Sequence, residues 1–259
     1  MLNKLLLLII LSQSLLAQRQ MEYLNRGAVA VPNVEGGMFI SWRLLGNDPD
    51  ETAFNLYRGQ EKLNVKPLTV TNFVDKTPTE GAVYHIKTVL KGVEQKNAAT
   101  TLSLKQAYLE ISLQIPAGGT TPDGKAYTYN ANDASAGDLD GDGEYEIILK
   151  WEPSNAKDNS QNGYTGNVFL DAYKLNGTRL WQIDLGKNIR AGAHYTQFMV
   201  YDLDGDGKAE IACKTADGTT DGKGKIIGDA TKDYRNAEGR ILEGDEFFTV
   251  FNGQTGEAL

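Results

Sequence analysis

One nine-residue pattern occurs twice in this chain, at residues 138–146 and 202–210. Each copy begins Asp-Leu-Asp-Gly-Asp-Gly and ends in Glu, so acidic side chains stand at positions one, three, five and nine. Carboxylates packed this closely repel one another unless a cation lies among them. Oxygen ligands on alternate residues, with a glycine at position six for a sharp turn, suit Ca²⁺. The pattern therefore predicts two calcium loops, and the alternative is a pair of solvated acidic turns.

Both loops are predicted to connect β-strands. An EF-hand loop has about twelve residues and lies between helices, whereas short apolar runs of strand length follow here at residues 147–149 and 211–213. The loops resemble those of integrin-type propeller repeats, and we name them clip 1 (138–146) and clip 2 (202–210). The predicted calcium ligands are Asp138, Asp140, Asp142, Glu144 and Glu146 in clip 1, and Asp202, Asp204, Asp206, Lys208 and Glu210 in clip 2.

Composition limits the classes of partner. A net charge of −8 argues against a nucleic-acid partner, which would require a basic surface. The 28 glycines suit a turn-rich β protein. Cys213 is the only cysteine in the sequence, so no disulfide can form within the chain, and we expect it to be a small core residue.

The first residues have the pattern of a secretory signal peptide. Lys4 supplies the positive charge, residues 5–11 are apolar, and Ala17 precedes a plausible cleavage point. The apolar run is too short to span a membrane. We therefore expect residues 1–17 to be removed and the protein to be secreted, to the periplasm or the extracellular medium.

A first domain is predicted over residues 21–105. Alternating patterns place Met38, Ile40, Trp42 and Leu44 on one face, and likewise Tyr84, Ile86, Thr88 and Leu90. Several short strands separated by turns indicate a small β-sandwich. The order of Trp42, Tyr57-Arg58 and the run from Tyr84 resembles a fibronectin type III module.

A second domain is predicted over residues 106–259. Each clip is followed by a strand, a long loop and a hairpin, the hairpins turning at Asn176-Gly177 and Asn252-Gly253. The repeat of about 64 residues indicates the first blades of a β-propeller. The sequence ends at Leu259, inside the second hairpin, so we expect a partial propeller that forms the N-terminal part of a longer protein.

Four segments carry a specific resemblance: residues 19–27, 127–135, 148–151 and 187–197. They look like rhamnogalacturonan endolyases of polysaccharide lyase family 11. The resemblance implies a fibronectin-like module joined to an eight-bladed calcium propeller, in secreted bacterial enzymes more than twice this length. It also implies calcium-dependent β-elimination in the rhamnose–galacturonate backbone of rhamnogalacturonan I, a pectic polysaccharide. We expect a monomer, without nucleic acid and without a membrane span.

The resemblance also implies candidate site residues. Asn132 and Glu152 match positions that contact sugar, although Asn132 could simply form a turn and Glu152 could be an exposed strand end. Lys150 and Arg190 could pair with uronate carboxylates, and a solvated surface charge is the alternative for each. His194 is the candidate catalytic base, with a core or metal-supporting histidine as its alternative.

Two functions remain open from the sequence. The first is a polysaccharide lyase of which this chain is an N-terminal fragment, with the remaining catalytic residues beyond residue 259 and the isolated chain inactive. The second is a non-catalytic, calcium-stabilised propeller that binds glycan or protein at the cell surface. Long polar loops at residues 154–167 and 215–245 favour a substrate cleft and hence the lyase.

Overall fold

A computed structural model describes residues 23–192 and 195–259 of the 259-residue chain. The predicted signal peptide, residues 1–17, lies outside the described residues. The described part is all-β: it holds eighteen strands and no α-helix. It therefore contains no helix that could cross a membrane. The strands fall into two units, one of residues 24–112 and one containing residues 113–259.

The first unit is built from two antiparallel sheets. One sheet has the order β1-β2-β5 and the other β4-β3-β6-β7. Their strands are β1 (Val29–Pro32), β2 (Met38–Ser41), β3 (Ala53–Arg58), β4 (Glu61–Lys62), β5 (Asn72–Asp75), β6 (Val83–Leu90) and β7 (Val93–Leu102). The buried core includes Ile40, Trp42, Phe54, Leu56, Tyr84 and Ile86. This arrangement is consistent with a β-sandwich.

Two details of the predicted alternation in this unit are wrong. Leu44 is 62% exposed and lies beyond the end of β2. In β6, Val89 is buried where Leu90 was expected. The pairing of β6 with β7 shifts register at this point, because Lys87 pairs with Ala98 and Val89 pairs with Glu94. The additional residues lie in β7, while β6 keeps its regular pairing with β3.

The second unit contains three sheets. The longest has the order β10-β11-β12-β13-β16-β17, the next has the order β14-β15-β18, and β8 pairs only with β9. The strands are β8 (Gly119–Thr120), β9 (Ala126–Tyr127), β10 (Tyr129–Gly137), β11 (Glu146–Pro153), β12 (Phe169–Tyr173), β13 (Arg179–Asp184), β14 (Phe198–Tyr201), β15 (Glu210–Ala216), β16 (Thr219–Thr220), β17 (Ile226–Ile227) and β18 (Glu246–Phe251). Apolar side chains of the two larger sheets share one buried cluster, which includes Ile148, Leu170, Ile211, Phe251 and Cys213.

The two hairpins predicted from Asn-Gly pairs are both present. Strands β12 and β13 pair antiparallel around Gly177, which has a φ of 85° that glycine adopts without strain. After β18 the chain turns back, and Leu259 N–H donates to the carbonyl of Val250. In this second turn the residue with positive φ is Gly256, at 68°, and not Gly253.

The clips lie between paired strands, as predicted. Clip 1 joins β10 to β11, where Gly137 pairs with Glu146, and clip 2 joins β14 to β15, where Tyr201 pairs with Glu210. The same register continues into the next strand in each copy. Ile147 pairs with Tyr173, and Ile211 pairs with Phe251. The residues that follow, Lys174 and Asn252, are therefore equivalent.

Candidate functional site

The two clips have the same hydrogen-bonded geometry. In clip 1 the carboxylate of Asp138 accepts from the backbone N–H groups of Gly141 (2.7 Å) and Gly143 (2.8 Å). In clip 2 that of Asp202 accepts from Gly205 (2.6 Å) and Gly207 (3.1 Å). All four glycines have φ between 82° and 92°, so both loops need residues without a side chain there.

The last acidic residue closes each loop. Glu146 accepts from Leu139 N–H at 2.9 Å, and Glu210 accepts from Leu203 N–H at 2.8 Å. Shorter links run within the loops from Asp142 N–H to Asp140 and from Asp206 N–H to Asp204. Each loop thus fixes the direction of its carboxylates through its own backbone.

The carboxylates of each clip converge in a way that fits a hard cation. Ligand oxygens of Asp138, Asp140 and Glu146 lie within 4.8 Å of one another, and so do those of Asp202, Asp204 and Asp206. Burial raises the pKa of Asp138, Glu146 and Glu210, and the neighbouring acidic groups raise it further. The ionised form of these convergent, partly buried carboxylates is disfavoured unless a cation lies among them, and Ca²⁺ suits such a set of oxygen ligands.

The seventh residues of the clips play a different part. The side chain of Glu144 is exposed, while its N–H donates to Asp142. The aliphatic chain of Lys208 lies against Gly141, where an added Cβ would stand 3.3 Å from its Cγ and Cε. Neither side chain belongs to the converging acidic groups.

Asn132 and Glu152 are in direct contact. Asn132 Nδ2 donates to Glu152 Oε2 at 3.0 Å. Strand β10 is bulged between Ala131 and Ala134, which releases Asn132 and Asp133 from the regular ladder. Both Asn132 and its strand neighbours are exposed, so the amide and the carboxylate present a polar pair to solvent.

A groove of about 340 Å³ lies beside Glu152, which forms part of its lining. The lining also includes Asn130, Ser154, Lys157, Asp158 and Gln161. These polar side chains offer both donors and acceptors, which is the chemistry needed to bind the hydroxyl groups of a sugar.

Lys150 points to the same bulge but is itself enclosed. The residue is 2% exposed, and its Nζ donates to Asp133 Oδ2 at 2.6 Å. Asp133 remains exposed to solvent. Lys150 is therefore already paired, and a uronate carboxylate would have to compete with Asp133 for it.

Arg190 is placed differently from the sequence-based prediction. It is 3% exposed, and its guanidinium donates to the carbonyl oxygens of five residues. They are Lys157 (2.9 Å), Asp158 (3.2 Å), Gln161 (2.9 Å), Gly163 (2.7 Å) and Gly239 (2.5 Å). In this structure Arg190 contacts no solvent-facing site, because it joins the loop after β11 to the loop before β18.

Comparison with known proteins identifies the family. Residues 108–259 match the profile described as "Rhamnogalacturonan lyase family 11, C-terminal domain", and residues 19–103 match "Rhamnogalacturonan I lyases beta-sheet domain". The chain belongs to rhamnogalacturonan lyase family 11.

Two family 11 relatives come from Bacillus subtilis strain 168. The chain is 61% identical over 243 residues to rhamnogalacturonan endolyase YesW, covering 94% of this chain and 39% of the relative. It is 62% identical over 243 residues to rhamnogalacturonan exolyase YesX, covering 93% of this chain and 40% of the relative. The chain therefore spans about two fifths of the length of these relatives.

Solved family 11 structures superimpose closely. The crystal structure of YesW has a TM-score of 0.89 and covers 93% of this chain, which covers 41% of that structure. The Bacillus licheniformis rhamnogalacturonan lyase PL11 gives the same TM-score and coverages at 63% identity.

Two residues around the candidate sites, Lys174 and Asp133, were missed by sequence reasoning. Lys174 Nζ donates to Asp140 Oδ2 at 2.6 Å, and the ammonium group holds the pKa of that carboxyl below its usual range. Asp133 pairs with Lys150. The acidic residue at 133 stands next to Asn132 in the sequence, so its position was available as a signal. Nothing local points to Lys174, which lies 34 residues from Asp140.

His194, the candidate base, lies outside the described residues. Its described neighbour Tyr195 accepts a hydrogen bond from Asn159 N–H at 3.3 Å through its hydroxyl. The role of His194 in the family 11 reaction stays a prediction.

Proposed function

We propose that this chain is the substrate-binding and calcium-stabilised part of a secreted lyase that cleaves the backbone of rhamnogalacturonan I. One observation carries the proposal: Glu152 lines a polar groove and accepts a hydrogen bond from the exposed Asn132, in a chain 61% and 62% identical to two rhamnogalacturonan lyases. The partner proposed for this groove is a pectic polysaccharide.

The chemistry defines what the residues must do. β-Elimination removes the proton at C5 of a galacturonate and expels the oxygen at C4. Because the carboxylate beside C5 already carries negative charge, a positive group must neutralise it as charge develops. Lys150, on β11 opposite the bulge of β10, is the lysine proposed to approach that carboxylate, which would replace Asp133 as its ion-pair partner. His194 is proposed as the base that accepts the C5 proton.

Asn132 and Glu152 are proposed to orient the sugar. The amide can donate to and accept from hydroxyl groups, and the carboxylate can accept from them. Their mutual hydrogen bond, 3.0 Å long, holds both groups in one orientation before the sugar arrives. Arg190 is proposed to shape the groove by holding the loop that lines it.

Calcium is the proposed metal. Asp138, Asp140, Asp142 and Glu146 would hold it in clip 1, and Asp202, Asp204, Asp206 and Glu210 in clip 2. Bound there, the ion would neutralise the clustered carboxylates and cross-link the strands on either side of each loop. The carbonyl groups of Glu144 and Lys208 belong to the proposed ligand set.

The architecture completes the proposal. Residues 21–105 would form a fibronectin type III-like domain, and residues 106–259 the first blades of a β-propeller. The repeated clip, strand and hairpin in two successive sheets support the propeller. The signal-like residues 1–17 support secretion, and a monomer is proposed. Endo-type cleavage is proposed from the family resemblance. Because the relatives at 61% and 62% identity are one endolyase and one exolyase, the length of the products distinguishes endo-type from exo-type cleavage.

Binding of rhamnogalacturonan I fragments by the chain tests the proposal. Isothermal titration should show binding by the wild type and at least about tenfold weaker binding by Asn132→Ala and Glu152→Gln. Glu257→Gln, on an exposed turn, is the matched control. Equal binding by all four proteins would place the sugar elsewhere.

Turnover is measured on the same samples by the absorbance of unsaturated uronate products, with and without a chelator. If this chain, and longer proteins that contain it, bind the glycan but show no turnover when calcium is present, a non-catalytic binding module would be favoured. Turnover by these 259 residues alone would place the base within them.

A further inference from the structure

The two clips differ in charge at two places. Position seven is Glu144 in clip 1 and Lys208 in clip 2, and the second difference lies just outside the loops. Because the strand registers match, Lys174 in the first copy and Asn252 in the second occupy the same place, one residue beyond the strand that pairs with the end of the clip. Lys174 carries a positive charge and Asn252 carries none. All other hydrogen bonds within the loops are shared between the two copies.

Lys174 faces the metal-binding carboxylates of clip 1. Its Nζ lies 2.6 Å from Asp140 Oδ2, 3.7 Å from Asp142 Oδ2 and 4.0 Å from Glu146 Oε1. These three residues are predicted calcium ligands. The ammonium group thus lies within reach of three of the carboxylates that a metal would use.

Asn252 has a different task. Its side-chain oxygen accepts from the N–H and the hydroxyl of Thr255, both at 3.0 Å, and so holds the turn after β18. Among the described residues, no lysine or arginine nitrogen lies within 4.0 Å of Asp204, Asp206 or Glu210 (the counterparts of the three carboxylates that face Lys174).

We propose that Lys174 is a built-in counter-ion of clip 1 that competes with calcium, so that the two clips bind the metal with different affinities and clip 2 binds it more tightly. A divalent cation entering clip 1 meets a positive charge already hydrogen-bonded to Asp140, and that ammonium must withdraw. In clip 2, within the described residues, no lysine or arginine nitrogen within 4.0 Å of Asp204, Asp206 or Glu210 has to withdraw first. In return, clip 1 keeps one of its carboxylates paired when calcium is absent.

This inference rests on the calcium ligands given under Proposed function. Calcium titration of the metal-free 259-residue chain by calorimetry tests it. The wild type should bind in two steps of different affinity, with Asp206→Asn weakening the tight step and Asp142→Asn weakening the loose one. Lys174→Asn, which copies clip 2, should tighten the loose step about tenfold and leave the tight step unchanged.

Two further variants control for charge and for folding. Lys174→Arg keeps the charge and should keep the loose step, whereas Lys223→Asn removes an exposed lysine that forms no ion pair among the described residues and should change neither step. The melting temperature gives a second measurement. Lys174→Asn should have a lower Tm than the wild type in chelator, and this difference should shrink or reverse in saturating calcium.

The outcomes separate the two proposals. Two calcium sites of equal affinity in the wild type would overturn the role of Lys174 but not the calcium sites themselves. A weaker binding step that Lys174→Asn leaves unchanged would do the same. Absence of any calcium binding by the folded wild-type chain would overturn both this inference and the calcium sites on which it rests.

Discussion

The backbone N–H of Ala209 donates a 2.7 Å hydrogen bond to the carbonyl oxygen of Asp138. Asp138 is the first residue of clip 1, and Ala209 immediately precedes the last residue of clip 2. The two acidic loops are therefore joined through their main chains, at a point where both residues are buried. Ordering of one clip therefore restrains the other.

Calcium removal should destabilise the unit of residues 113–259 and leave that of residues 24–112 unchanged. The reason is that both clips lie in the former, and a ligand that binds only the folded state stabilises it by about 2.7 kcal/mol per site at a hundredfold excess over Kd. Hydrogen exchange with and without chelator measures this by segment. Equal loss of protection in both units would contradict it.

Replacement of Arg190 by Met should lower the free energy of unfolding by about 3 to 5 kcal/mol, because five carbonyl groups would lose their buried donor. Arg190→Lys should lose less, since an ammonium group can still donate to three of them. Urea denaturation measures both. Arg235→Met, which breaks an ion pair with the more exposed Asp233, is the control and should cost under about 1 kcal/mol.

Asp171 should be sensitive to truncation. It is fully buried, and its carboxylate accepts from Trp151 Nε1 (2.9 Å), Tyr173 hydroxyl (2.7 Å) and Gln182 Nε2 (2.8 Å). Asp171→Ala leaves three donors unpaired and should cost about 3 to 5 kcal/mol. Asp171→Asn keeps one acceptor oxygen and should cost less. Near-equal urea midpoints for these variants and the wild type would show that the three hydrogen bonds to Asp171 do not stabilise the fold.

Glu94 should make the first unit sensitive to acid. Hydrogen bonds from Tyr57, Asn55 and Lys87 lower the pKa of its carboxyl from 4.5 to about 2. A lowered pKa stabilises the fold above the unfolded value, and this contribution is lost as pH falls from about 4.5 to about 2. Glu94→Gln should therefore be less stable than wild type at neutral pH, by about 1 kcal/mol after screening, and the gap should close by pH 2. A gap that stays constant across this range would contradict the assignment; Glu80→Gln is the exposed control.

Cys213 should be unreactive in the folded protein. Burial raises the pKa of its thiol to about 12, so almost no thiolate is present at neutral pH. Labelling by a maleimide should proceed only after unfolding of the second unit, and its rate should rise in chelator. Rapid labelling of the native, calcium-loaded chain would show that this part of the core opens.

Local patterns in the sequence predicted the features that depend on local structure. The clips were located because their carboxylates and glycines are close in sequence, and their turns need positive φ at fixed positions. Both hairpins followed from Asn-Gly pairs, and Cys213 was correctly expected in the core. Sequence reasoning also selected Asn132 and Glu152 as candidate site residues, and the two side chains are hydrogen-bonded to each other.

The features that sequence reasoning missed depend on distant contacts. Val89 is buried in place of Leu90 where the pairing of β6 with β7 shifts register, and the apolar alternation of β6 contains no sign of that shift. Arg190 was expected to pair with a uronate carboxylate or to be a solvated surface charge, but its oxygen partners come from loops up to 49 residues away. Lys174 reaches clip 1 only because β12 returns alongside β11.

Arg190 has a consequence for how these loops can change during evolution or design. Its five hydrogen bonds all go to backbone oxygens, so those to residues 157, 158 and 161 do not depend on the side chains that stand there. The groove-lining residues Lys157, Asp158 and Gln161 can therefore be replaced by residues of different chemistry while the loop keeps its path. Insertions and deletions are restricted instead, because they would move the carbonyl groups themselves. The lining of the groove can thus change by substitution but not by a change of loop length.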